Sequence, residues 1–329
     1  MYCLSSIKGF GLSNWEERIM IDQSLLVFVT VAEKKSFTRA ADALHMTQPA
    51  VSQYIQTLEK NVGAKLLDRN NKYVQLNKAG EIVYHHANEI IGLYTQMQTL
   101  LDDTMNKASG NLAIGASYTF GEYVLPHIVA YLQERYPLIK PKITIANTKR
   151  ISEWVATRQL DVGIVDGEIH HSNLPLEPFA EDLMVIVASA KHHELTAGPL
   201  KITDLNNETW IVREEASGTR EATEKMFAEL AFRPKKIMEF GSTQIIKESV
   251  QVGLGVTLLS HCTIQKEVSL GSLKILDVCG TPFQRKFSLI TPPSKFKTKA
   301  TSVFSDVLRN NEGLPDFFGK PIAIGPKFV

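Results

Sequence analysis

The sequence predicts a multidomain α/β protein: an N-terminal winged helix-turn-helix, one long linker helix, and a C-terminal domain of alternating strands and helices. Three observations support this. Two short helical segments flank a tight connection and lead into a hairpin pattern between Ser24 and Asn77. An uninterrupted helical period then runs to about Lys107. Beyond Gly110, runs rich in Ile, Val and Ala alternate with helical ones. At 329 residues the chain exceeds one ordinary core and accommodates about two or three domains.

Composition narrows the class before any motif is read. Hydrophobic residues make up 44% and charged residues 22% of the chain, which is the balance of a folded globular protein. The net charge of +1 is uninformative, but between Met20 and Gly80 basic side chains outnumber acidic ones by about 3. The longest apolar stretch, Leu25 to Ala32, is far shorter than the roughly 18 residues of a membrane helix, so no membrane partner is expected. Residues 1–19 lack the apolar core of an export signal and read as an extension outside the fold, with Met20 as a natural start. A cytoplasmic location follows from that expectation. Cys3, Cys262 and Cys279 are widely spaced and read as reduced thiols. The doublets His85-His86, His170-His171 and His192-His193 read as surface or packed residues, because adjacent side chains point in different directions. No metal site and no cofactor are expected.

The first helix starts in SLLVFVTVAEKK, where Leu25, Phe28, Val29 and Ala32 fall on one stripe. Ser36 can cap a second short helix, FTRAADALH, which buries Phe37, Ala40, Ala41 and Leu44. His45 and Met46 make a tight connection, and Thr47 can cap a third helix with Pro49 in its first turn. In that helix Val51, Ile55, Leu58 and Val62 form an apolar face. Pro49, Gln53, Gln56 and Lys60 lie opposite, with Gln48 and Ser52 at the edge. A face of amides and hydroxyls suits base-edge reading in a DNA major groove, since Gln pairs with adenine and Ser with several bases. The same face would also serve an ordinary solvated helix. The segment AKLLDRNNKYVQLN then gives two strand runs around Asn70-Asn71, with Arg69 and Lys72 beside the tip. This is a wing able to reach phosphate or the minor groove, or a plain surface hairpin carrying two cations.

The stretch SFTRAADALHMTQPAVSQYIQTLEKNVGAKLLDRNNKYVQLNKAG resembles the N-terminal signature of LysR-type transcriptional regulators. That resemblance implies that Ser36, Arg39, Gln48, Pro49, Ser52, Gln53 and Arg69 approach double-stranded DNA, and Thr47, Gln56 and Lys72 complete the candidate interface. Three positions depart from the family pattern: Leu67 replaces Phe, Lys72 replaces Arg, and Asn77 replaces a capping Thr. Asn caps well, so the wing contact at Lys72 is the one weakened, because Lys lacks the fork of Arg.

After Asn77, positions Val83, His86, Ile90, Leu93, Met97 and Leu100 alternate four and three apart and present one seam to a partner helix. A homodimer is expected. Its two-fold axis would match an interrupted inverted repeat.

The C-terminal strands suggest a parallel sheet, whose ligands bind beyond the strands' carboxyl ends. Hydroxyls cluster there at predicted helix starts: Ser117 and Thr119, then Thr148, then Ser242 and Thr243. Such starts attract anions, although each residue could merely cap its helix. The segment EEASGTREATEKMF adds Ser217, Gly218, Thr219 and Arg220 at another start, and Arg220 brings a fixed positive charge. No GxSxG, GxxxxGK[ST] or GxGxxG pattern occurs, so neither catalysis nor catalytic residues are expected.

IGASYTFGEYVLPHIVAYLQERYP and GLGVTLLS resemble the periplasmic-binding-protein-like effector domain of the same family. IGASYTFGEYVLP and ITIANT are most similar to its branch of sulfur-assimilation and carbon-fixation regulators. The resemblance implies a small anionic effector held at Ser117, Thr119, Thr148 and Thr219, and signalling to RNA polymerase from a homodimer or homotetramer. The expected division is 20–77 for the winged helix-turn-helix, 78–108 for the linker helix, and 109–310 for the effector domain. Within the latter, one subdomain spans about 111–180 and 286–309 and the other about 181–285. Residues 311–329, rich in Gly and Pro, read as a tail outside the folded unit. A cytoplasmic solute-binding protein without regulatory activity is the rival reading; the N-terminal module opposes it.

Overall fold

The computed structural model describes residues 23–69, 73–105, 108–167, 174–192, 195, 198–294, 296–315 and 318. The N-terminal module comprises α1 (Gln23–Lys34), α2 (Phe37–Leu44), α3 (Gln48–Val62), β1 (Leu67–Arg69) and β2 (Val74–Leu76). Each boundary has a local cause. The Ser36 hydroxyl accepts from the Arg39 amide at the start of α2, and Thr47 accepts from the Ala50 amide at the start of α3. Between them His45 adopts a left-handed φ of 55°, which turns the chain sharply into α3.

Val27, Phe28, Val31, Ala40, Val51, Ile55 and Leu66 pack into one core. The buried stripe of α1 is therefore rotated and wider than the expected Leu25, Phe28, Val29 and Ala32, because α2, α3 and the following helix all enclose it. Val62 is exposed instead of closing the apolar face of α3. Its place belongs to buried Glu59, whose carboxylate accepts from the Leu66 amide at 3.0 Å and from Lys65 Nζ at 2.8 Å. That carboxylate fixes the path from α3 into the hairpin.

The linker helix α4 (Lys78–Met105) starts at Asn77, whose Oδ1 accepts from the Gly80 amide at 2.9 Å. Thereafter the chain forms β3 (Gly110–Ala116), α5 (Tyr118–Tyr123), α6 (Leu125–Arg135), β4 (Ile139–Ile145), α7 (Thr148–Ala156), β5 (Val162–Asp166) and β6 (Leu176–Ser189). It continues through β7 (Thr209–Arg213), α8 (Gly218–Glu229), β8 (Lys236–Phe240), α9 (Thr243–Gln251), β9 (Thr257–Ser260), α10 (Gln265–Ser269), β10 (Leu273–Ile275), β11 (Phe283–Ile290) and α11 (Lys299–Arg309).

The expected parallel sheet is instead mixed. Strands run in the order β10, β6, β11, β5, β3, β4, with β9 also on β6. β3 pairs in parallel with β4 and β5, but β11 is antiparallel to both β5 and β6. The reason is that β6 and β11 are return strands. β6 pairs with β11 from Leu176 to Met184, then with β9 and β10 up to Ser189. Each half of the sheet carries helices on both faces. Phe120, Ile128, Phe287 and Phe304 cover one side of the first half, and Ile151, Val155 and Ile290 the other. Trp210, Met226 and Leu258 fill one side of the second half, with Ile246, Val250 and Leu259 opposite. The parallel pair of β7 and β8 joins this half through the Trp210–Val256 bridge.

Residues after α11 also depart from expectation, because Leu314 and Phe318 pack on the first core. The Phe318 ring stacks on Phe287 at 5.8 Å and meets Phe120 edge-on at 6.1 Å. The Tyr131 hydroxyl donates to Glu312 at 2.7 Å. Isolated apolar residues among Gly and Pro give no period, so this return was invisible in the pattern. Residues 316, 317 and 319–329 and the 1–19 extension lie outside the described residues, among which no helix is long and apolar enough to cross a membrane. Phe318→Ala should lower unfolding stability by about 1–3 kcal/mol through lost ring contacts; an unchanged urea midpoint would show that the packing contributes nothing.

Candidate DNA interface and ligand cleft

One face of α3 is committed to the core and the other is open. Val51, Ile55 and Leu58 are buried, whereas Thr47, Gln48, Pro49, Gln53 and Gln56 are exposed and Ser52 is half-buried. Gln48 Nε2 donates to Ser52 Oγ at 2.9 Å, which orients the amide at the start of the face. Arg39 is exposed on α2, and the Ser36 hydroxyl is occupied as a cap. Arg69 ends β1; its side chain, Asn70-Asn71 and Lys72 lie outside the described residues. The face thus carries amide donors and acceptors without an acidic group, the chemistry that base edges require.

α4 leaves an apolar stripe uncovered: Ile82, Ile90, Leu93, Met97 and Leu101 are all exposed. The expected seam is shifted at its ends. Val83 packs on the core of the N-terminal module and Leu100 is half-buried, so Ile82 and Leu101 face outward instead. Exposed His85 and His86 lie beside Glu89, to which His86 Nδ1 is hydrogen-bonded at 2.9 Å. Farther along, α4 meets the C-terminal domain. Arg158 Nη1 donates to Gln96 Oε1 at 2.9 Å and Nη2 to the Pro293 carbonyl at 2.7 Å. A Cβ at Gly92 would lie 2.6 Å from the Arg158 Cβ, so glycine permits this close approach.

The candidate cleft is a buried polar cluster where β5, β6, β9 and β11 meet the starts of α5, α7 and α8. Arg285 of β11 occupies its centre and is buried. Its Nε donates to Asp182 Oδ2 at 2.7 Å and its Nη1 pairs with Asp166 Oδ2 at 2.7 Å. Nη1 also reaches Thr219 Oγ1 at 3.2 Å, and Nη2 reaches Thr119 Oγ1 at 3.1 Å. One guanidinium therefore ties α5 of the first half to α8 of the second. The Ser260 hydroxyl donates to Asp182 from the far side, and the Thr148 hydroxyl donates to the Asp166 carbonyl and carboxylate.

Burial pushes the Asp182 carboxyl up from its ordinary range, against the pull of Arg285. Burial also disfavours the Arg285 charge, but Asp166 and Asp182 together outweigh it and keep that charge firmly in place. Burial raises the Cys262 thiol far above its usual range, with Asp182 adding to the effect. That sulfur is a packed group rather than a nucleophile.

Among the sequence-predicted positions, Thr119, Thr148 and Thr219 converge on the Arg285 and Asp166 pair. Ser117 and Ser217 precede α5 and α8, both buried. Two assignments need correction. Thr148 does not cap α7; Asn147 does, accepting from the Arg150 amide at 3.0 Å, which frees Thr148 for Asp166. Arg220 is not a free charge. It donates to Glu224 at 2.6 Å, Glu239 at 2.8 Å and the Arg213 carbonyl at 2.9 Å, away from the cluster around Arg285.

The cation of the cleft is Arg285, which sequence reasoning missed along with Asp166, Asp182 and Ser260. A signal existed: in FQRKFSLI, Arg285 shares the inward alternation of Phe283 and Phe287. An arginine at an inward position needs partners, and here they are carboxylates. Arg285→Met should destabilise by about 3–5 kcal/mol, because it leaves two carboxylates buried without a counter-charge. Adding Asp166→Asn and Asp182→Asn should restore most of that loss in a denaturation experiment; no recovery would contradict the pairing.

Comparison with known proteins gives this architecture its context. Residues 23–81 match the profile "Bacterial regulatory helix-turn-helix protein, lysR family", and residues 106–312 match "LysR substrate binding domain". "HTH-type transcriptional regulator CysL" of Bacillus subtilis (strain 168) is 36% identical over 287 residues, covering 87% of this chain and 96% of that protein. A "Probable RuBisCO transcriptional regulator" of Cyanophora paradoxa is 32% identical over 292 residues, covering 86% of this chain and 90% of that protein. The CcmR regulatory domain of Synechocystis PCC6803, solved in complex with 2-PG, superimposes with a TM-score of 0.57 at 26% identity. It covers 61% of this chain and 96% of its own. With both halves matched in order along most of its length, the chain belongs to the LysR family of helix-turn-helix transcriptional regulators.

Proposed function

We propose that this regulator binds an interrupted inverted-repeat site as a homodimer or homotetramer and responds to a small anionic metabolite held between its two effector subdomains. The observation that carries the reading is the convergence of Thr119 and Thr219 on buried Arg285, and of Thr148 on its partner Asp166, where the subdomains meet. Hydroxyls, an arginine and the starts of α7 and α8 form a set suited to a compact acid. The similar CcmR domain is solved with 2-PG, which supports an acid of that size. Similarity to CysL and to the RuBisCO regulator, with the cleft segments IGASYTFGEYVLP and ITIANT, supports a role in sulfur or carbon assimilation. The groups of the cleft bind rather than turn over, so the reading is non-enzymatic, in the cytoplasm where promoter DNA is available.

On the DNA side, Thr47, Gln48, Pro49, Ser52, Gln53 and Gln56 read the major groove. Ser36 and Arg39 position the module on the backbone, and Arg69 and Lys72 extend the wing. The exposed stripe of α4 supplies the dimer seam. The effector biases the relative orientation of the subdomains. The joint of Gly92, Gln96 and Arg158 carries that bias into α4, changing the spacing of the reading helices, the bend of the DNA and the contact with RNA polymerase.

Fluorescence anisotropy on promoter duplexes tests the reading. Gln53→Ala should lose about 1–3 kcal/mol of discrimination for the cognate site while binding to random duplex is unchanged. Wild-type protein that retains no promoter fragment specifically, across salt concentrations and added metabolites, would falsify the assignment. Arg158→Ala should leave effector affinity within about twofold but abolish the effector's influence on the operator footprint, since the altered contact lies outside the cleft. A footprint that still responds would place the coupling elsewhere.

A further inference from the structure

The cleft is filled by the protein's own acid. We infer that the Asp166 carboxylate occupies the effector's seat, and that Arg285 is the counter-ion for the effector's acidic group. This rests on the reading of the cleft as an anion site and names the group that makes it selective.

Asp166 has the surroundings that a bound carboxylate, sulfate or phosphate group would seek. Its Oδ2 is 2.7 Å from Arg285 Nη1, and its Oδ1 accepts from the Thr148 hydroxyl at 3.1 Å. The first turn of α8 lies against it, because Gly218 brings its backbone flush with the end of β5. A Cβ there would fall 1.4 Å from the Asp166 carbonyl oxygen and 2.9 Å from its Oδ1. A guanidinium, a hydroxyl and a helix start thus surround one carboxylate that belongs to the chain itself.

The two carboxylates on Arg285 differ in kind. Asp182 holds the Nε edge, is backed by the Ser260 hydroxyl, and lies on return strand β6. It anchors the guanidinium. Asp166 holds Nη1, the edge shared with Thr219, beside the threonines that converge from both subdomains. It is the exchangeable partner. Ser117 gives an independent pointer to a missing group: it is 2% exposed, and its Oγ has no hydrogen-bond partner among the described residues. Thr119, Thr148 and Thr219 are all satisfied within the protein, so one hydroxyl is left over for a group that the described residues do not supply.

Asp166 already holds the Nη1 edge of Arg285 and the Thr148 hydroxyl, so an incoming anion finds both donors taken while Asp166 stays in place. An effector must therefore bring an acidic group that takes over Arg285 Nη1 and the Thr148 hydroxyl, together with a second polar atom for Ser117 Oγ. A small acid bearing a carboxylate, phosphate or sulfate and a neighbouring oxygen fits that description. Its entry displaces Asp166 and backs α8 away from β5. The effector-free cleft is thus closed by an internal competitor, and occupancy by Asp166 and by effector is mutually exclusive.

Calorimetric titration of the full-length protein with 2-phosphoglycolate and with inorganic sulfate separates the possibilities, using wild type, Asp166→Asn and Asp182→Asn. Asp166→Asn should bind at least one probe about tenfold tighter or better, because a like charge leaves the seat. Asp182→Asn alters the anchored edge instead and should bind no tighter than wild type. Equal gains in both variants would assign the effect to net charge alone and overturn the inference, as would an unchanged or weaker Asp166→Asn. If neither probe binds any of the three proteins, the anion-cleft reading itself fails. Should Asp166→Asn not fold, Asp166→Ser carries the same expectation. A crystal structure of the wild-type probe complex provides a second readout: Asp166 still paired with Arg285 beside bound probe would also overturn the inference.

Discussion

The effector domain is organised around the need to keep one guanidinium charged where water is excluded. Arg285 is enclosed by the sheet and the helix starts, and a buried charge is tolerated only when opposite charges and hydrogen bonds replace its hydration. Asp166, Asp182, Thr119 and Thr219 provide that replacement, and they come from β5, β6, α5 and α8. Satisfying the arginine therefore means assembling the junction between subdomains. Removing or adding an anion at this point changes what holds the halves together, which is the physical requirement for a ligand sensor.

The N-terminal module was legible because its signals are local. Caps at Ser36 and Thr47, the alternation of Val51, Ile55 and Leu58, and the amides opposite them all lie within a few turns of one another. What was missed there, Glu59 in the core, depends on a partner that the chain supplies only after α3 has ended. The cleft was half legible for the same reason. Hydroxyls at helix starts announce themselves in sequence, whereas Arg285 and its two aspartates are separated by more than a hundred positions and meet only through the antiparallel return of β11. Arg220 misled because a cation beside Ser-Gly-Thr looks available, and only tertiary placement shows that Glu224 and Glu239 have already claimed it. The parallel-sheet expectation failed for a topological reason. Alternating strand and helix patterns reveal the rhythm but not which strands double back.

Two glycines permit close approaches in and beside the effector domain. At the junction of its two halves, Gly218 allows α8 to lie flush against β5. Where the domain meets the linker helix, Gly92 allows α4 to lie against Arg158. Both positions exclude even a methyl group, so each joint is close-fitting and cannot yield gradually.

The pairing of β6 with β11 constrains how the two halves can move. Both strands run on from one half of the sheet toward the other, and they are hydrogen-bonded to each other from Leu176 to Met184 across the boundary. Two loose crossings would allow the halves to swing apart like a book. A zipped ribbon resists bending in its own plane and yields far more readily in twist. Separating the halves within the plane of that ribbon would break ladder hydrogen bonds, so the pairing favours twist over in-plane opening.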